Sequence, residues 1–218
     1  MIERPDPHDW GLYVIADADL ASPASYPEIA RQVFQGGARV LQLRDKKTPF
    51  EELVKTGRLL RALADEYGAA LIVNDNPYLA REIDADGVHL GQEDTPVEIA
   101  REIVGPEKLI GLSTHNAFQA IQAQSLEVDY IGLGPIYATK TKKQPHPPLG
   151  GKVVRWAARD LRVPFVCIGG INLQNLEPLL EAGAMNFAVI SAIMSSGDIE
   201  GSTRSLVEAI QRHRATKV

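Results

Sequence analysis

The sequence predicts an α/β fold, a single (βα)8 TIM barrel. Short β-rich runs alternate with helix-like stretches, there are eight such runs, and most are continuously apolar rather than alternating in polarity. The alternation is the mark of βα units around a parallel sheet, and apolar continuity is expected where both faces of every strand are covered. A chain of 218 residues with 44% hydrophobic residues suffices for one such core and leaves little for a second domain.

In chain order the eight runs are LYVIAD from Leu12, VLQLRD from Val40, LIVND from Leu71, GVHLG from Gly87, LIGLST from Leu109, YIGLGP from Tyr130, FVCIGG from Phe165 and FAVISAI from Phe187. Amphipathic stretches separate them. In FEELVKTGRLLRALADEYG, Leu53, Leu59, Leu60, Leu63 and Ala64 mark the expected inward stripe. An open flavodoxin-like or Rossmann-like sheet fits less well, because eight even units carry no G-x-G-x-x-G fingerprint. Residues 1–218 therefore read as one domain. Residues 1–10 form an N-terminal extension, and ATKTKKQPHPPLGG, Ala138 to Gly151, forms a polar loop after the sixth strand. A loop of that length in a compact domain is a surface connection or a ligand clamp.

A formal charge of −5 argues against a general nucleic-acid surface but leaves room for a local basic pocket around an anion. Cys167 is the only cysteine, so no intrachain disulfide can form, and its apolar neighbours make it a buried, inert thiol. MIERPDPHDW places charges and prolines where a secretion signal needs an apolar run, and no later segment is long and apolar enough to span a bilayer. The expected setting is the cytoplasm, with small molecules as partners and neither nucleic acid nor membrane. A homo-oligomer is left open.

Barrel active sites form where the strands end. Here those ends are polar: Gln42, Arg44, Asp45 and Lys46 after the second, Asn74 and Asp75 after the third, Gln92, Glu93 and Asp94 after the fourth, Ser113, Thr114 and His115 after the fifth. Arg44 and Lys46 flank Asp45, so the two-residue period of an extended chain sends both cations to one side, where they can neutralise a diphosphate. A surface ion pair is the competing reading. Asp75 and Asp94 follow neighbouring strands, so their carboxylates meet at the mouth. A hard cation such as Mg²⁺ would relieve their repulsion, although either aspartate could instead cap the helix that follows. Gly169-Gly170 closes the seventh strand, and Ile190-Ser191 falls within the eighth run. Many barrels bind a phosphate monoester at these two places. No histidine has zinc-site spacing, and none is assigned a catalytic role; His8, His146 and His213 read as solvated, His89 and His115 as core or rim groups.

Taken in order, QLRDK (Gln42 to Lys46), NDN (Asn74 to Asn76), GVHLGQED (Gly87 to Asp94), GLSTH (Gly111 to His115), GPIYATKTK (Gly134 to Lys142) and IGGI (Ile168 to Ile171) closely resemble thiamine phosphate synthase. The resemblance implies a (βα)8 transferase of thiamine biosynthesis. Such an enzyme joins 4-amino-2-methyl-5-(diphosphooxymethyl)pyrimidine to 4-methyl-5-(2-phosphooxyethyl)thiazole, giving thiamine phosphate and diphosphate by a dissociative substitution with Mg²⁺ as cofactor. Carried over residue by residue, Gln42, Leu43, Arg44, Asp45, Lys46, Asn74, Ser113 and Lys142 would contact the pyrimidine diphosphate, and Asp75 and Asp94 would hold Mg²⁺. Thr139, Lys140, Thr141, Gly170, Ile190 and Ser191 would meet the thiazole phosphate. Arg44, Lys46, Lys142 and Ser113 are the residues expected to carry catalysis. A thiazole tautomerase of the same superfamily would need neither the cations nor the carboxylates, and a non-catalytic ligand-sensing barrel would show gaps in the charged set; this sequence keeps both groups.

Overall fold

The computed structural model describes residues 4–17, 20, 24–139 and 146–216. Eight parallel strands close into a barrel in sequence order: β1 (Leu12–Asp17), β2 (Val40–Arg44), β3 (Ala70–Asn74), β4 (Gly87–Leu90), β5 (Leu109–Thr114), β6 (Tyr130–Leu133), β7 (Phe165–Ile168) and β8 (Asn186–Val189), with β8 pairing back onto β1. The helices are α1 (Tyr26–Gln35), α2 (Phe50–Glu66), α3 (Pro77–Glu82), α4 (Val97–Val104), α5 (Ala117–Ala123), α6 (Gly151–Asp160), α7 (Glu177–Glu181), α8 (Ser191–Met194) and α9 (Ile199–Ala215). Several are only one or two turns long, which is how so short a chain completes the fold. Among the described residues no helix is long and apolar enough to cross a membrane.

Two apolar layers follow from the strand period. Val14, Leu41, Leu71, Val88, Ile110 and their counterparts point outward and pack under the helices. Tyr13, Val40, Ile72, Tyr130, Val166 and Ala188 point inward and fill the barrel. Trp10 joins the inner layer, meeting the Tyr130 ring edge-on at 4.6 Å while its indole N–H donates to the Pro5 carbonyl at 2.9 Å. Within the described part of the N-terminal extension, Pro5 and Trp10 are buried, and Trp10 belongs to the barrel core.

Two expectations need correction. Leu59 is 57% exposed, whereas Leu53, Gly57, Leu60 and Ala64 are buried. At about 100° per residue, Leu59 lies about 240° round the helix from Leu53, off the inward face that Leu60 occupies. The eighth run is also too long as a strand. It stops at Val189, and Ser191–Met194 turn into α8, which buries Ile193 and Met194. Ile190 and Ser191 therefore stand at a strand-to-helix junction.

Candidate active site

Because strand phase alternates, every inward residue near a carboxyl end faces the barrel mouth. Asp17, Arg44, Asn74 and Ser113 are in that phase, each an even number of residues from an inward-packed neighbour on its strand. Leu43 is not. It is 2% exposed in the outer layer, so its side chain packs under the helices and cannot line the mouth. Gln42 faces inward but lies below the mouth, where its amide donates to the Tyr13 hydroxyl at 2.7 Å.

The charged groups gather between β1 and β4. Arg44 pairs with Asp17, the buried last residue of β1. The Lys46 ammonium lies 2.7 Å from Asp75. The two cations share the mouth but turn to opposite neighbours, because β2 ends at Arg44 and the two-residue period does not extend to Lys46. Asp45 closes the bend between them: its carboxylate accepts the Lys47 and Thr48 amides at 2.9 Å each and the Thr48 hydroxyl at 2.8 Å. Tyr26 adds hydroxyl contacts to Asp45 at 3.2 Å and to the Arg44 carbonyl at 3.0 Å. Asp45 is thus committed to shaping the loop that carries Lys46.

Asp75 has a φ of +62°, a conformation costly for a residue with a side chain. The carboxyls of Asp75 and Asp94 lie close enough to act on each other's titration, and Asp94 accepts the Gly91 amide at 2.7 Å. Burial raises Asp94, and its neighbour Asp75 raises it further. Burial also works to raise Asp75, but the Asp94 carboxyl and the Lys46 ammonium outweigh it, so Asp75 sits below the ordinary carboxyl range. Neither aspartate caps a helix. Asn76 caps α3, accepting from the Leu79 amide at 3.0 Å, and Pro96 precedes α4. Among the described residues there is no group of three or more His, Cys, Asp and Glu side chains placed to hold a metal. Two adjacent carboxylates suit Mg²⁺, which is typically held by one or two of them together with phosphate oxygens and water.

The other half of the mouth is a solvent-open cleft between β5 and β8. Ser113, Thr139, Gly170, Ile190 and Ser191 line it, and Arg44 closes it on the charged side. Gly170 has a φ of +66°, and a Cβ there would lie 2.6 Å from the Ala138 carbonyl oxygen, so the position requires glycine. Asn175 holds the turn, donating to the Gly170 carbonyl at 2.8 Å, while its own carbonyl accepts from Tyr137 at 3.0 Å. Lys140, Thr141 and Lys142 lie outside the described residues.

Several site residues escape the sequence reading. Asp17 stood at a strand end, the same signal that marks Arg44. His115 stacks on His146 with ring centroids 3.9 Å apart, and its Nδ1 is 2.8 Å from the Gly134 carbonyl oxygen; both histidines line the cleft. His89, read as a core or rim group, contacts Ser113. Cys167 is buried, and burial pushes its thiol up, as expected of an inert group.

Comparison with known proteins adds identity to this geometry. Residues 12–193 match the family model described as thiamine monophosphate synthase. The chain is 38% identical over 209 residues to the thiamine-phosphate synthase of Dictyoglomus thermophilum, covering 96% of this chain and 94% of that protein. It is 40% identical over 205 residues to that of Moorella thermoacetica, covering 94% and 98%. Among solved structures, the thiamine phosphate pyrophosphorylase of Pyrococcus furiosus superposes with a TM-score of 0.87 at 35% identity, covering 95% of this chain and 98% of that one. The chain belongs to the thiamine monophosphate synthase family, transferases of thiamine biosynthesis built on a TIM barrel.

Proposed function

We propose that this enzyme condenses 4-amino-2-methyl-5-(diphosphooxymethyl)pyrimidine with 4-methyl-5-(2-phosphooxyethyl)thiazole to give thiamine phosphate and diphosphate, through a dissociative, Mg²⁺-assisted substitution. The observation that carries this reading is the division of the mouth, with cations and paired carboxylates on one side and a glycine-walled cleft on the other, joined at Arg44. One half suits a diphosphate and the other a heterocycle bearing a monophosphate.

Breaking a carbon–oxygen bond to diphosphate requires above all that the departing negative charge be stabilised. Arg44 offers forked donors for phosphate oxygens, with Asp17 fixing its guanidinium on the inner wall. Lys46 is 59% exposed on a long side chain, so it can pass from Asp75 to a phosphate. Lys142 is the third cation in this assignment. Ser113, Asn74 and Gln42 would orient the pyrimidine, and Gly170 with the Ile190–Ser191 junction would receive the thiazole phosphate on backbone N–H groups. Asp75 and Asp94 would hold Mg²⁺, which when bound supplies further charge neutralisation at the diphosphate. Their oxygen-only donor set suits such a cation, which would offset the repulsion between the two carboxylates. No protein nucleophile is needed if the pyrimidine-stabilised cation is captured by the thiazole nitrogen.

The test is formation of thiamine phosphate by the purified protein from the two substrates with Mg²⁺, in the presence and absence of EDTA. The expected outcome is product that depends on the metal. A folded protein that makes none would remove this reading, and product unaffected by EDTA would remove the role given to Asp75 and Asp94.

A further inference from the structure

A chain of hydrogen bonds crosses the barrel interior beneath the mouth. The Gln42 amide donates to the Tyr13 hydroxyl at 2.7 Å, Tyr13 and Tyr130 hydroxyls are 3.1 Å apart, the Tyr130 hydroxyl is 3.1 Å from His89 Nδ1, and His89 Nε2 is 3.0 Å from Ser113 Oγ. It joins two residues expected to meet the pyrimidine substrate, Gln42 on β2 and Ser113 on β5, through side chains of β1, β6 and β4. The fold makes room for it. A Cβ on Gly111 would lie 2.2 Å from Tyr130 Cζ and 2.5 Å from His89 Nδ1, and one on Gly132 would lie 3.2 Å from His89 Cε1. Two strands thus give up side chains where the imidazole and phenol pass.

The hydrogens can be counted along the chain. Burial pushes the Tyr13 and Tyr130 phenols up, so each hydroxyl carries one hydrogen. Tyr13 is 2% exposed and accepts from Gln42, so its own hydrogen goes to the Tyr130 hydroxyl, 3.1 Å away. The Tyr130 hydrogen then goes to His89 Nδ1, which must be the unprotonated nitrogen. The remaining imidazole hydrogen lies on Nε2 and points at Ser113 Oγ. The reverse order would strand the Tyr13 hydrogen in the barrel core, at the cost of an unmet buried donor.

We propose that His89 is a positioning residue: as the neutral Nε2–H tautomer it donates to Ser113 Oγ and thereby turns the Ser113 hydroxyl hydrogen outward, toward the substrate. Ser113 is then a committed donor to an acceptor atom of the bound ring or its diphosphate. This rests on the assignment of Ser113 to the pyrimidine substrate made above.

Two experiments test it. A two-bond ¹H–¹⁵N correlation spectrum of the whole, ligand-free protein at neutral pH is expected to show His89 neutral with its hydrogen on Nε2; a hydrogen on Nδ1, or on both nitrogens, overturns the proposal. The second is a double-mutant cycle read in kcat/KM for the pyrimidine diphosphate. His89→Asn keeps a group beside Tyr130 but falls short of Ser113, and is expected to lose on the order of 10-fold. His89→Gln can reach Ser113 and should recover most of that loss, while in a Ser113→Ala background His89→Asn should cost less than about 2-fold. If the Asn loss persists in full beside Ser113→Ala, or Gln recovers nothing, His89 acts only as scaffold and the proposal fails. An inactive wild-type protein would strike the proposed function instead, and the spectrum would still decide the direction of the chain.

Discussion

Between β1 and β4 the barrel mouth holds ion pairs and carboxyls; between β5 and β8 it holds glycines, serine and threonine side chains, a stacked pair of imidazoles and apolar walls. Both halves come from the same βα repeat, so the difference lies in what each strand places at its carboxyl end. In the first half, charges are held by one another: Arg44 by Asp17, Lys46 by Asp75, Asp75 by Asp94. In the second, backbone is brought close by removing side chains, as at Gly134, where a Cβ would lie 2.2 Å from the Ile168 carbonyl oxygen. The first half holds its charges in internal pairs, and the second brings backbone close to the mouth. Substitutions should therefore act differently on the two sides.

The largest expected effect is on the charged side. Arg44→Ala removes a cation from the proposed diphosphate subsite and takes the Arg44 ion pair away from buried Asp17. Turnover should fall on the order of 10²-fold or more. Stability should fall by up to about 3 kcal/mol, because a buried carboxylate loses the Arg44 cation. Steady-state kinetics with urea unfolding check both. A variant with near-wild-type turnover would break the assignment of the charged half to the diphosphate.

On the cleft side the expected effect is smaller and confined to one substrate. Gly170→Val forces a branched side chain into a φ of +66° with its Cβ against the Ala138 carbonyl. The KM for the thiazole phosphate should rise on the order of 10-fold, with a smaller change in the KM for the pyrimidine diphosphate. Equal rises for both substrates would show that the cleft is not specific to the thiazole.

The two halves were also unequally legible in the sequence. All eight strands could be located from their apolar runs, because each must be covered on both faces. Charged residues at strand ends stood out for the complementary reason: Arg44, Asp75 and Asp94 have no place in a core unless something neutralises them. Strand phase carries more than the pairing of Arg44 with Lys46 drew from it. Counting by two from Val40 puts Gln42 and Arg44 inward and Leu43 outward, which separates the core leucine from its polar neighbours. The same count from Tyr13 reaches Asp17. His89 was hidden for another reason: its partner Tyr130 lies 41 residues away, and only closure of the barrel brings the two rings together. Loop geometry was the least readable part. Nothing in the composition of QLRDKKT distinguishes Asp45, which shapes the bend, from Lys46, which the bend presents.

The smallest expected effect tests whether the charged half is built for ligands or for stability. Asp94 titrates above the ordinary carboxyl range because of burial and the neighbouring Asp75. The stability linked to it is therefore full at low pH and is lost as pH rises through the raised native value. Asp75, held below that range, has the opposite sign: its contribution is present above the ordinary carboxyl value and is lost as pH falls through the lowered one. At neutral pH without metal, Asp94 is thus a liability to the fold. Asp94→Asn should match or exceed the wild type in urea unfolding with EDTA, by less than about 1 kcal/mol since the site is open to solvent. Its stability should also depend less steeply on pH just above the ordinary carboxyl range. The same variant should lose Mg²⁺-dependent turnover. A clear loss of stability in EDTA would mean that Asp94 supports the fold as an ion, and that the paired carboxylates serve stability.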